Sequence, residues 1–174
     1  RDFCLSRGLG DVYKRQELSM SSYCVKTAAG TSPYVAVPVF PSRAFRHSAI
    51  YVRRDRIRRP EDLKGKRVGV PEYQLTANVW VRLMLEGDYG IRPSDIRWLR
   101  GGYEEPGRIE KIALDLPAGV GLENVPEGAT ISGMLAAGDL DAVIGPRAPS
   151  CFRAGHPEVC LLYTSPSPRD RQKS

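Results

Sequence analysis

The sequence predicts an α/β domain built on a mostly parallel sheet. Three observations predict it. Short runs rich in β-branched and aromatic residues recur at 47–52 (HSAIYV), 67–70 (RVGV), 96–99 (IRWL) and 140–145 (LDAVIG). Stretches of helical period lie between them at 75–86 and 131–138. Glycine and proline separate strand from helix at nearly every junction. Strand, helix, strand, helix, strand is the order of a layered fold whose crossovers return parallel strands to one sheet.

Taken in order, ELSMSSY at 17–23 reads as a strand end running into a small-residue turn or a helix start. YVAVPVF at 34–40 is β-rich, but Pro38 has no N–H to give a ladder and so excludes a central strand. HSAIYV follows as a short strand. Pro60 and Glu61 suit the first turn of a brief helix, and the Lys64-Gly65-Lys66 turn leads into the buried strand RVGV. In the helix at 75–86, Ala77, Trp80, Val81 and Met84 fall on one apolar face, with Trp80 expected in the core. Thr76 or Gln74 can cap its start, and Gly87 and Gly90 are expected to end it. IRWL is the next strand. The middle, 104–128, has little pattern. ISGMLAAG at 131–138 is a helix stopped by Gly138, and LDAVIG is the last buried strand.

The two ends are expected to be foreign. Residues 6–16 (SRGLGDVYKRQ) and 160–170 (CLLYTSPSPRD) back-translate to opposite strands of one transposase-type sequencing adaptor. Residues 1–16 and 160–174 are therefore excluded from fold reasoning. The remainder, 17–159, starts without Met and reads as an internal piece of a longer protein. Each end carries +2 of the formal +6, which leaves +2 and weakens the case for a nucleic-acid partner. The basic run RRDRIRR at 53–59 has no interleaved aromatics to stack bases and reads as a solvated edge. Cys24 and Cys151 lack the spacing of a metal knuckle or disulfide framework. No run is long and apolar enough for a membrane helix. Asp139 and Asp141 read as turn residues, and the scattered acids predict no metal.

One stretch asks for chemistry. FPSRAFRHS at 40–48 packs Arg43, Arg46 and His47 into an otherwise apolar neighbourhood. Either it is a solvated turn, or it holds an anion and moves a proton.

EDLKGKRVGV at 61–70 with MLAAGDLDAVIG at 134–145 resembles one lobe of the type 2 periplasmic-binding-protein fold. ELSMSSY, VAVPVFPSRAFRHSAIYV, GKRVGVPEYQLTANVWVRLML, RGGYEEPGR and DAVIGPRAPSCF together resemble the 4,5-dihydroxyphthalate decarboxylase family. The resemblance implies one nearly complete lobe plus part of another. Residues 17–46 would end the first lobe and cross over, 47–150 would form the second α/β lobe, and 151–159 would begin the return crossing. It implies a carboxy-lyase acting on an aromatic dicarboxylic acid, with no cofactor because the substrate's hydroxyls can push electrons. The alternative is a solute receptor of an importer that binds a carboxylate without chemistry. The enzyme would be cytoplasmic and the receptor periplasmic.

Such a substrate needs arginine forks for its carboxylates and a general acid of near-neutral pKa. Arg43 and Arg46 are the candidate clamps, Ser42 an added donor, and His47 the candidate proton donor; a hinge role for His47 and surface ion pairing for the arginines remain open. Glu72, Tyr73, Gln74 and Thr76 follow a strand and open a helix, where backbone N–H groups favour an anion; there they either face the cleft or merely cap and pack. Arg100, before Gly101 and Gly102, binds an anion or closes a turn. Arg147 follows the last strand. Cys151 has no nearby histidine in sequence to activate it, and His156 is given no role.

Overall fold

The computed structural model describes residues 18–40, 46–110 and 112–163. Ser42 and Arg43 lie outside the described residues, as do 1–16 and 164–174 of the ends expected to be foreign. The elements are α1 (Met20–Ala28), β1 (Ile50–Arg53), β2 (Arg67–Val70), α2 (Thr76–Tyr89), β3 (Arg97–Arg100), β4 (Leu122–Asn124), α3 (Ile131–Ala137), β5 (Ala142–Ile144), α4 (Ser150–Arg153) and β6 (Val159–Leu161). Three 3-10 turns, Arg46–Ala49, Pro60–Leu63 and Pro93–Asp95, lead into strands or turns.

The strands form one sheet in the order β4-β3-β2-β5-β1-β6. β4, β3, β2 and β5 run parallel, while β1 pairs antiparallel with both β5 and β6. The α/β class and the parallel core are as expected. Residues 160–161, expected to be foreign, pair with β1 as part of β6.

Strand alternation sorts the core onto two faces. Ile50, Val52, Val68, Val70, Ala142 and Ile144 join the Val81 and Leu85 side of α2. Tyr51 and Val143 point the other way, to Ile131 and Leu135 of α3. Burying each of these Ile, Leu and Val side chains contributes about 1.5–3 kcal/mol. Ile131 of α3 and the following Leu140 crowd Gly69. A Cβ there would lie 2.7 Å from Leu140 Cδ1 and 2.8 Å from Ile131 Cγ2.

Some expectations hold and others change. The run at 34–40, where Pro38 excludes a central strand, joins none: Val35 is 93 % exposed, and Val37, Val39 and Phe40 are exposed too. Without a partner strand, its alternating apolar residues have nothing to pack against. α1 takes up the small-residue stretch as a helix. The strand expected at 47–52 starts only at Ile50, after a 3-10 turn, so strand alternation does not set the direction of His47. Trp80 is 54 % exposed rather than core. The buried stripe of α2 is Ala77, Asn78, Val81 and Leu85, turned by about one residue from the face expected. Gly87 lies inside α2, and Gly90, at φ +62°, ends it. β4 has no signal in the sequence. The basic run is only partly solvated: Arg53 and Arg56 donate to the carbonyls of Leu135, Ala136 and Gly138 at the end of α3, where the helix dipole favours cations.

Candidate functional site

The parallel strands β2 and β3 end side by side, and α2 begins directly after β2. At this edge the chain turns through Pro71, Glu72, Tyr73, Gln74 and Leu75 before helix geometry begins at Thr76. Backbone N–H groups in such a turn have no helical acceptor. Two of them are met by one carboxylate from a distant loop. Tyr73 N–H donates to Glu110 Oε2 at 2.9 Å, and Gln74 N–H to Glu110 Oε1 at 3.0 Å. Arg100, at the end of β3, approaches the same carboxylate with Nη1 3.7 Å from Oε2. Arg100 is itself oriented by Asn124 of β4, whose Oδ1 accepts from Nε and Nη2 at 3.0 and 2.6 Å.

Glu72 is buried at 2 % exposure and accepts a fork from Arg108, Nε at 2.8 Å and Nη2 at 2.5 Å. Its carbonyl accepts from Asn78 Nδ2 at 2.6 Å. Arg82 of α2 lies 3.7 Å above the Tyr73 ring and donates to the Tyr73 carbonyl at 2.6 Å. Burial pushes the Arg82 guanidinium down from its ordinary range, while Tyr73 and Glu110 pull it back. Burial likewise raises the Tyr73 phenol, and Arg82 opposes this. The Tyr73 ring stands edge-on to Trp98. Thr76 shares its hydroxyl with Ser19, 2.8 Å away, and accepts from Ser21 N–H at 3.2 Å. The Ser21 hydroxyl donates to the Gln74 carbonyl.

Two polar groups here are left over. The Gln74 side chain is 4 % exposed, and neither Nε2 nor Oε1 has a partner; Asn78 Oδ1 is also unpartnered. Buried amides normally find partners. Gln74 borders a cavity of about 520 Å³, together with Tyr73, Arg82, Ser21 and the 114–118 segment.

The predicted residues therefore divide. Glu72, Tyr73, Gln74, Thr76 and Arg100 come together. Arg46 and His47 do not join them through any contact among the described residues. His47 is half-buried in its 3-10 turn, edge-on to Tyr163 at 5.3 Å. Tyr163 in turn meets Tyr89, the last residue of α2, whereas the cluster surrounds the first turn of that helix. Arg147 is exposed, and its carbonyl accepts from the Tyr103 hydroxyl at 2.6 Å. The Cys151 thiol lies 3.6 Å from Ser132 Oγ, and the Cys151 carbonyl accepts from the His156 amide at 3.0 Å. Among the described residues no group of three or more His, Cys, Asp and Glu can hold a metal ion.

Sequence reasoning missed Arg82, Arg108 and Glu110. Arg82 had a findable signal, one helical turn beyond Asn78 on the stripe that faces the turn. Arg108 closes the RGGYEEPGR stretch already singled out. Glu110 lies in a segment without periodicity, so nothing local marks it.

No family model matches the chain. A 4,5-dihydroxyphthalate decarboxylase of Pseudomonas putida is 72 % identical over 151 residues, which is 86 % of this chain and 58 % of that protein. A protein of the same name from Comamonas testosteroni is 72 % identical over 151 residues, 86 % of this chain and 46 % of that protein. The chain thus spans about half the length of the curated relatives it matches. At that identity, over nearly all of its own length, the chain belongs to the 4,5-dihydroxyphthalate decarboxylase family.

Proposed function

We propose that this chain forms the second lobe of a carboxy-lyase acting on an aromatic dicarboxylic acid, the compound named in its relatives being 4,5-dihydroxyphthalate. One observation carries the reading: a carboxylate already rests on the Tyr73 and Gln74 amides beside Arg100. The arrangement is suited to a ligand carboxylate. It offers backbone donors that cannot rotate away, a guanidinium fixed by Asn124, and low solvent access that strengthens each contact.

The chemistry asks for little more. In 4,5-dihydroxyphthalate each hydroxyl is para to a ring carbon that bears a carboxylate. Electron donation from that hydroxyl makes the carbon basic, and a general acid protonates it. The carbon–carboxylate bond then breaks, carbon dioxide leaves, and its electron pair restores the aromatic ring. The carboxylate that stays is the handle for the Tyr73–Gln74–Arg100 seat. In this reading Glu72 and Thr76 shape the seat, while His47 as proton donor, Ser42, Arg43 and Arg46 at the crossing between lobes, and Arg147 are assigned from the family resemblance; among the described residues, Arg46, His47 and Arg147 do not meet the seat within this lobe. The partner is a small aromatic carboxylate and not a nucleic acid. Among the described residues no helix is long and apolar enough to cross a membrane.

The test is a chimera in which residues 17–159 replace the matching stretch of the Pseudomonas putida relative. Carbon dioxide release from 4,5-dihydroxyphthalate is expected. The His47→Gln form is expected to lose release while still binding benzene-1,2-dicarboxylate. Tight binding without release by the unaltered chimera would instead indicate a carboxylate receptor.

A further inference from the structure

We infer that the Glu110 side chain is a built-in stand-in for one carboxylate of the ligand, and that a ligand enters by displacing it. The inference rests on the proposed aromatic-acid reading only for the identity of the ligand. Both Glu110 oxygens are spent on consecutive backbone amides, Tyr73 and Gln74, with Arg100 alongside. That set of donors is complementary to any carboxylate and carries nothing specific to a glutamate.

A second observation is independent of the first. With Glu110 in place, Gln74 is 4 % exposed and lines the 520 Å³ cavity, while its amide nitrogen and oxygen are closed off and unpartnered. A site built only to hold Glu110 would have no use for that amide. A larger acid, bringing further oxygens into the cavity, would satisfy it once the Gln74 side chain turns toward the cavity. The Glu110 side chain is only 6 % exposed, so displacement requires its segment to shift. Glu110 is borne on the irregular segment between β3 and β4, where Gly107 and Gly119 adopt φ of +85° and +86° and the adjacent Ile109 is 75 % exposed.

The test is calorimetry on the 174-residue chain with three probes: benzene-1,2-dicarboxylate, benzoate and acetate. Glu110→Gln and Glu110→Ala are compared with the unaltered chain, and Glu110→Asp is added because it keeps the charge but cannot span both amides. Thermal melts of each variant accompany the titrations. Removing the carboxylate is expected to tighten benzene-1,2-dicarboxylate binding about 10-fold, with a smaller gain for Glu110→Asp. If the variants gain affinity for benzoate or acetate but none binds the dicarboxylate, the stand-in role holds and the dicarboxylate reading falls. If no folded variant gains affinity for any probe, the stand-in role is wrong and Glu110 is a structural clasp.

Discussion

The two ends of the parallel strands each carry a carboxylate among arginines, and the two are finished differently. At the amino end, Asp141 enters β5 with both oxygens engaged. Oδ1 accepts from Arg56 at 2.8 Å and Oδ2 from the Arg67 amide at 2.9 Å, while Arg53 and Arg56 also close the end of α3. At the carboxyl end, Glu110 is held through both oxygens and Glu72 through Oε1, yet Asn78 and the cavity-lining Gln74 keep unpartnered buried atoms. A cluster whose polar groups are all satisfied is a clip. A cluster with buried groups left over has room for something else. The sequence marks both ends alike with Arg and Asp or Glu, so only the inventory of partners separates them.

That contrast can be broken at several points. The largest effect is expected at the clip. Asp141→Ala leaves the Arg67 amide and the Arg56 guanidinium without their acceptor and should cost about 3 kcal/mol in urea denaturation. The Asp141 carboxyl is held below its ordinary range: burial raises it, but the Arg67 amide and Arg56 hydrogen bonds outweigh that. A lowered carboxyl pKa stabilises the fold above the unfolded value of about 3.9 and loses this as pH falls through the folded value. The stability gap between the native chain and Asp141→Asn should therefore close on acidification below about pH 4.

Next comes Arg108→Met, which strands the buried Glu72 carboxylate. Because Arg108 is itself 42 % exposed, water can reach part of the gap, and the loss should be about 2 kcal/mol. The double change with Glu72→Gln should cost less than the two single changes added together, the coupling expected of a true pair. Gly69→Ala pushes against Leu140 and Ile131 and should cost about 1–3 kcal/mol by overpacking; thermal unfolding reads it directly. Gln74→Met goes the other way. Removing an unpartnered buried amide should leave stability unchanged or raise it by about 1 kcal/mol, while weakening binding of benzene-1,2-dicarboxylate. The smallest effect is Trp80→Ser, within about 0.5 kcal/mol, because the ring is mostly in solvent.

Much of the scaffold was legible. RVGV, IRWL and LDAVIG became β2, β3 and β5 because their apolar residues meet α2 or α3 whichever way they point. The turn 71–76 was found because a strand leading into a helix always leaves free N–H groups. Legibility failed where contacts are distant in sequence. Trp80 fits an apolar face by spacing, but Asn78 took its place in the buried stripe by bonding the Glu72 carbonyl. Val35, Val37 and Val39 alternate like a strand yet have no partner strand. Glu110 reaches the Tyr73 and Gln74 amides from more than thirty residues away, and no local pattern records such a reach.

The most direct measurement follows the backbone amide resonances of this chain as benzene-1,2-dicarboxylate is added. Shifts concentrated at Tyr73, Gln74 and Arg100, with Arg67 and Asp141 undisturbed, are the expected result. Equal movement at both ends, or none at Tyr73 and Gln74, would contradict the distinction between a finished clip and an open seat.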